Sequence, residues 1–276
     1  MSHESAKPTR PDAAWAQPMP EPQFERLSRI VGAPSPIGLE GAMTHGVIEP
    51  MFRDVALAGW TVHRFQGSAG VVLDTHPGET ERFTAMIVGH ADKIRLQVRS
   101  IADDGKIYVN SDSFLPTTLI GHPVKLFSED PACPGRYRVL EGGTLEALGA
   151  IHFADPKYRT GEQGITKEML YLELGLHGQD RRQQVERMGI RPGDSLLLDR
   201  PVRRGFAPET IRGAYLDNGL GCFTVCETAR LIAARGGLEN VRVLFAAATG
   251  EEIGRLGSRV LARELHPDVL IGVDVN

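Results

Sequence analysis

Apolar positions first recur at helical spacing from Gln23 to Val31, and Ala33-Pro34-Ser35-Pro36 stops that helix with two prolines. Leu39 to Ala58 predicts a longer helix, with Ile48, Met51, Phe52 and Val55 on one stripe. Trp60 to Phe65, Ala69 to Thr75 and Phe83 to Gly89 then predict strands. The third of these is short, β-rich and apolar without alternation, the pattern of a sheet strand buried on both faces. Ile94 to Ser100 and Lys106 to Val109 alternate on either side of Asp103-Asp104-Gly105, which predicts a hairpin. Further short strands are expected at Pro123 to Phe127, Tyr137 to Leu140, Thr144 to Ala150 and Ser195 to Leu198, with one helix at Asp180 to Met188. From Gly213 the texture changes again. A helix from Asn218 to Arg235, opened by Asp217 or Asn218 and closed by Gly236-Gly237, leads to a strand at Val241 to Ala247. A helix at Arg255 to Leu265 and a strand at Val269 to Val273 follow. Strand, helix, strand implies parallel pairing with a right-handed crossover. The expectation is an α/β domain over 23–95 and 207–276, mostly parallel in its sheet, interrupted by a small β-rich domain over 96–206. Residues 1–22, rich in Pro, Ala and charge, are expected to form a disordered tail.

Composition narrows the function classes. A formal charge of -4 over 276 residues gives no electrostatic case for nucleic acid or an anionic membrane. No apolar run approaches the roughly 20 residues of a membrane span, and the start of the chain lacks the order of a signal peptide. Three cysteines are too few and odd in number for a disulfide framework. The cytoplasm is therefore the expected compartment. Cys222 and Cys226 lie one helical turn apart, and buried packing is expected of them rather than metal or redox chemistry.

Candidate chemistry falls at the expected carboxyl ends of strands, where open α/β sheets gather their ligands. Gly89-His90-Ala91-Asp92 places an imidazole at a strand end with a carboxylate positioned to accept its other ring N–H. Asp217 is either a helix cap or a carboxylate shared by two metal ions. Glu251-Glu252, flanked by Gly250 and Gly254, is either a solvated helix start or a pair of distinct roles, one on a metal and one on its water. Asp274 is either a turn residue or a ligand. Each motif alone is weak. Together they put one imidazole and three carboxylate positions at one sheet edge, a donor set suited to Zn²⁺, Mn²⁺ or Co²⁺.

The ordered set resembles the tetrahedral (TET), or glutamyl and deblocking, aminopeptidase family of dinuclear metallopeptidases. Besides the four clusters, Ala33-Pro34-Ser35-Pro36, Leu119-Ile120-Gly121 and Met188-Gly189-Ile190-Arg191-Pro192-Gly193-Asp194 carry the likeness, which runs from about Phe24 to Asn276. It implies a zinc-peptidase-like catalytic domain whose inserted β-rich domain mediates homo-oligomer contacts. It implies peptide substrates and two divalent ions, Zn²⁺ or Co²⁺ with Mn²⁺ possible. It also implies roles: His90 and Asp274 on one metal, Glu252 on the second, Asp217 bridging, Glu251 as general base and Asp92 orienting His90.

Several departures qualify that reading. Ala91, Lys93 and Arg95 stand where the family usually has Met, Glu and Gly, so positive charge is expected near the cation site. Gly213 and Ala214 stand where the family often has Lys before its bridging Asp. The family continues for several tens of residues past the position of Asp274, supplying a final His ligand and helices that cover the sheet. The expectation is thus a fragment, a part supplied by a partner, or an incomplete second site. Two alternatives stay open: a metal-dependent amidohydrolase or deacylase, and a catalytically impaired homologue acting in assembly or regulation.

Overall fold

The protein's structure, a computed structural model, describes residues 17–65, 70–111, 113–130, 132–133, 136–147 and 154–275. The helix α1 (Glu21–Gly32) opens the described part, so Glu21 and Pro22 are helical rather than tail, and residues 1–16 of the expected tail lie outside it. A proline in the first turn, where its missing N–H has no helical partner anyway, and an acid beside the positive helix end favour this earlier start. The expected long second helix is three pieces: α2 (Gly41–Met43), a π-turn (Thr44–Ile48) and α3 (Glu49–Val55). Pro50 supplies no N–H to the carbonyl four residues back, and the chain widens there. The expected stripe still faces inward, with Ile48, Met51 and Phe52 buried.

The strands β1 (Thr61–Phe65), β2 (Gly70–Asp74) and β3 (Thr84–His90) follow. The next six are β4 (Leu96–Ile101), β5 (Ile107–Ser111), β6 (Pro123–Glu129), β7 (Tyr137–Ala147), β8 (Leu170–Glu173) and β9 (Ser195–Leu198). They close into a barrel in the order β4-β5-β8-β7-β6-β9. Two short helices, α4 (Pro156–Thr160) and α5 (Arg181–Arg187), lie within that stretch. Alternate residues such as Leu96, Val98, Ile107, Val109, Leu145 and Leu172 fill the barrel interior. Two expected strands at 137–150 are one, since Gly142 and Gly143 continue β7 instead of turning it; residues 148–150 lie outside the described part. The strand β8 has no counterpart among the expected elements.

A two-stranded ribbon, β10 (Arg203–Arg204) and β11 (Ile211–Arg212), returns the chain to α6 (Leu216–Ala234), β12 (Arg242–Ala248), α7 (Leu256–Leu265) and β13 (Val269–Gly272). The sheet runs β1-β2-β12-β3-β13. It is mixed: β12 and β13 flank β3 in parallel, whereas β1 and β2 join antiparallel. One face carries Val71, Leu73, Val243, Phe245 and Ala247 against α1, α3 and α6. The other carries Val72, Met86, Val88, Leu244 and Ala246 against Leu261 of α7. At the far end of the sheet Asp74 and Arg242 form a buried ion pair at 2.6 Å. Among the described residues no helix is long and apolar enough to cross a membrane.

Candidate metal centre

Parallel pairing in register puts Ala248 of β12 beside His90 of β3, so both strands end at the same edge. β13 ends alongside, with the Val273 N–H donating to Val88 at 2.8 Å. Helix α6 approaches β3 very closely. A Cβ at Gly89 would lie 2.7 Å from backbone atoms of both Gly221 and Cys222, so only glycine lets the helix start reach the strand end. Cys222 and Cys226 are buried beside this contact, and burial raises both thiols, Cys222 to about 12; they are inert packing groups, as expected.

The helix opens in a manner that releases Asp217. Asn218 does the capping: its Oδ1 accepts from Gly221 N–H at 2.8 Å, and its Nδ2 donates to the Val273 carbonyl at 2.7 Å. That second bond ties the start of α6 to the end of β13. Asp217 is left to face His90, Oδ1 lying 3.1 Å from Nε2. Asp274 Oδ1 is 3.8 Å from the same nitrogen and Glu251 Oε2 is 4.0 Å from it. One donor atom from each of His90, Asp217 and Asp274 lies within 4.8 Å of the others. A buried imidazole and two exposed carboxylates, converging from segments far apart in sequence, fit a divalent cation.

The other face of His90 belongs to Asp92. Nδ1 lies 3.2 Å from the Asp92 carbonyl and 3.5 Å from its carboxylate Oδ1. An Nδ1–H held there leaves Nε2 with its lone pair toward the carboxylates. Burial opposes the imidazolium, but Asp92, then Asp274 and Asp217, raise His90 to about 9 in the absence of an ion. Asp92 itself is fully buried. Burial opposes its charge too, yet His90 and the backbone N–H groups of Glu251 and Glu252, each at 3.0 Å, hold its carboxyl below the ordinary value. Asp92 thus does more than orient His90: it fixes the loop after β12 that carries both glutamates, a role the sequence did not reveal.

Glu252 is not part of the three-residue cluster. Burial, with the negative charge of Asp217, Asp92 and Glu251, pushes it to about 7 against the pull of His90. Glu251 also accepts from Arg255 Nε at 3.1 Å. Lys93 is where expectation failed. Its ammonium does not approach the cluster; it is 2% exposed and donates to the carbonyls of Val31 and Ala33 at the C-terminus of α1. Arg95 turns to the barrel, donating to Ser195 at 2.9 Å.

Fold and cluster together define an α/β protein with a cluster that could hold a divalent cation at the carboxyl edge of its sheet. Comparison with known proteins gives the family. A model of the M42 glutamyl aminopeptidase family matches residues 70–276, and the chain belongs to that family. It is 26% identical over 263 residues to the lysyl aminopeptidase of Pyrococcus furiosus, a match covering 91% of this chain and 66% of that protein. The TET aminopeptidase of Thaumarchaeota archaeon SCGC AB-539-E09 shares the fold with a TM-score of 0.77 at 20% identity, over 93% of this chain and 67% of that one. An aminopeptidase of Desulfurococcus kamchatkensis does so with a TM-score of 0.73 at 23% identity, over 92% and 63%. The chain therefore spans just under two thirds of the curated relative's length.

Proposed function

We propose that the protein is a metal-dependent aminopeptidase that removes the N-terminal residue of peptides. The observation that carries this reading is the convergence of His90, Asp217 and Asp274 within 4.8 Å beside Glu251. In this reading His90, Asp274 and Asp217 would hold one divalent ion, and Asp217 with Glu252 would hold a second. Bound ions supply Lewis acidity and make the attacking water easier to deprotonate. Glu251 takes the proton from that water and delivers it to the leaving nitrogen. Asp92 holds the ring of His90 and, through the two N–H groups it accepts, the backbone of both glutamates. Zn²⁺ or Co²⁺ suits the donor set best, and Mn²⁺ is compatible with it. Family membership and the named activities of similar proteins support the reaction class.

Residues 96–206 form the proposed inserted domain, and its barrel is the proposed site of homo-oligomer contacts. A cytoplasmic setting is consistent with the sparse cysteines. The alternative of an impaired assembly protein rests on Lys93, Arg95 and the lack of the family's final His; Lys93 and Arg95 turn to carbonyls of α1 and to Ser195, and lend it no support. The test is calorimetric titration of Zn²⁺ or Co²⁺ into chelator-treated protein, with His90→Ala as control, followed by assay on aminoacyl anilides and N-acylated amino acids. Binding abolished by His90→Ala, with turnover of the anilides only, is expected. Absence of binding overturns the metallopeptidase reading, and turnover of the N-acylated substrates moves it to a deacylase.

A further inference from the structure

A pocket of ≈ 180 Å³ adjoins the cluster, with His90, Glu251 and Asp274 among its lining residues and Arg255, Ser258 and Leu270 among the others. Arg255 is the permanently charged cation in that lining. Its backbone adopts φ +59, the left-handed region that a non-glycine residue seldom occupies and that costs free energy. The guanidinium engages Glu251 through Nε alone, and among the described residues no partner receives its Nη groups. The side chain is 74% exposed, so a planar cation with donors to spare stands on the open rim of the pocket beside the group proposed as the general base.

We propose that Arg255 is a specificity residue that receives the free α-carboxylate of a short peptide on the leaving side of the scissile bond. The inference rests on the aminopeptidase reading, and in particular on Glu251 as proton carrier. A base that delivers a proton to the leaving nitrogen lies beside that nitrogen. In a dipeptide the α-carboxylate carbon is two bonds from it, about 2.5 Å away. Arg255, bonded to the same glutamate, is thereby within reach of that carboxylate. The side chain of the N-terminal residue lies across the scissile bond. His90 and Asp274 of the lining are assigned to the ion, which leaves Arg255 as the cation free for substrate, and a guanidinium meets a carboxylate with two parallel N–H donors. The favoured substrates are dipeptides, and a C-terminal amide loses the contact.

The test compares Leu-Leu with Leu-Leu-amide, and Glu- with Leu-p-nitroanilide, for the wild-type chain, Arg255→Gln and Arg255→Lys loaded with Zn²⁺ or Co²⁺. Binding of the reduced-amide isostere of Leu-Leu, with and without its carboxylate, is measured alongside by calorimetry. An ion pair with a guanidinium this exposed predicts a wild-type preference for acid over amide of about 2- to 5-fold, expressed in KM and in Kd. Arg255→Gln brings the ratio close to one, and Arg255→Lys restores part of it. A wild-type ratio near one, or a ratio unchanged in Arg255→Gln, overturns the proposal. Selective loss of the Glu anilide assigns the cation to the N-terminal side chain and overturns it equally. If no substrate turns over, the aminopeptidase reading fails by itself, and carboxylate-dependent binding of the isostere still decides the role of Arg255.

Discussion

Replacing Asp92 with asparagine tests the electrostatic frame of the centre without any metal. The carboxylate has three obligations: Glu251 N–H on Oδ1, Glu252 N–H on Oδ2, and the Nδ1 side of His90. Asparagine offers one oxygen, so one backbone N–H loses its acceptor and faces an NH₂ donor. A lost charge-assisted bond at a fully buried position costs about 1.5–3 kcal/mol. His90 also loses the largest of the influences that raise it. With burial still opposing the imidazolium, its pKa should fall from about 9 by roughly two units, about 3 kcal/mol of coupling. A histidine raised on folding contributes stability that is complete below its unfolded value of about 6.5 and is lost as pH rises through about 9. Asp92, lowered on folding, contributes only above the usual carboxylate range, so its own term is constant across that window. The stability difference between wild type and Asp92→Asn, from urea unfolding in chelator, should therefore be largest near pH 6 and shrink toward pH 9. Histidine NMR, with the His90 signal identified by its absence in His90→Gln, reads the pKa directly. A His90 pKa unchanged within half a unit, or a flat difference curve, would refute the coupling.

Gly89→Ala drives a Cβ to 2.7 Å from the backbone of Gly221 and Cys222, neither of which has a flexible end to yield. We expect a loss of about 3 kcal/mol in urea unfolding and metal affinity weakened at least about 10-fold, because Asp217 starts the displaced helix. Native affinity in this variant would show that α6 is placed by something other than the strand. Lys93 is pushed by burial to about 7, so the unfolded chain binds more protons than the folded one between about 7 and 10.5. Wild-type stability minus that of Lys93→Met should rise with pH across that window, by roughly 2–4 kcal/mol. A flat difference would mean that the carbonyls of Val31 and Ala33 hold the amine fully charged.

The elements that the pattern foretold are those whose burial is one-sided or complete. β3 and β12 appear as apolar β-rich runs because each is covered by neighbours on both sides and both faces. β8, four residues long, is too short to display a period, and its place between β5 and β7 is set by barrel closure. The antiparallel entry of β2 beside β12 joins residues some 170 positions apart, and nothing local encodes it. His90, Asp217 and Asp274 could be picked out as candidates because strand ends and helix starts mark themselves, and the fold brings the three together. Lys93 misled because nearness in sequence says nothing about direction: three residues after His90, the chain has already turned its side chain beneath α1. Asn218 was legible only as half of an ambiguity, since either it or Asp217 could have capped α6. The cap bond to Gly221 resolves it and frees the carboxylate.

That division of labour explains how a cluster of exposed acids is held in place. Asp217 and Asp274 have side chains 59% and 52% exposed, too open to be fixed by packing, and without an ion their charges repel. Precision must come from the backbone segments that present them. On one side Asn218 binds Val273, fastening the start of α6 to the segment that carries Asp274. On the other, buried Asp92 binds two successive N–H groups, fastening the end of β3 to the loop that carries Glu251 and Glu252. Neither clamp is among the three clustered donors, and each joins segments at least 55 residues apart. The centre can therefore assemble only after β3, β12 and β13 are in register, which makes the donor set a consequence of the finished sheet. Substitution of an exposed ligand, Asp217 or Asp274, should accordingly weaken metal binding with little effect on the fold, whereas loss of either clamp should damage both together.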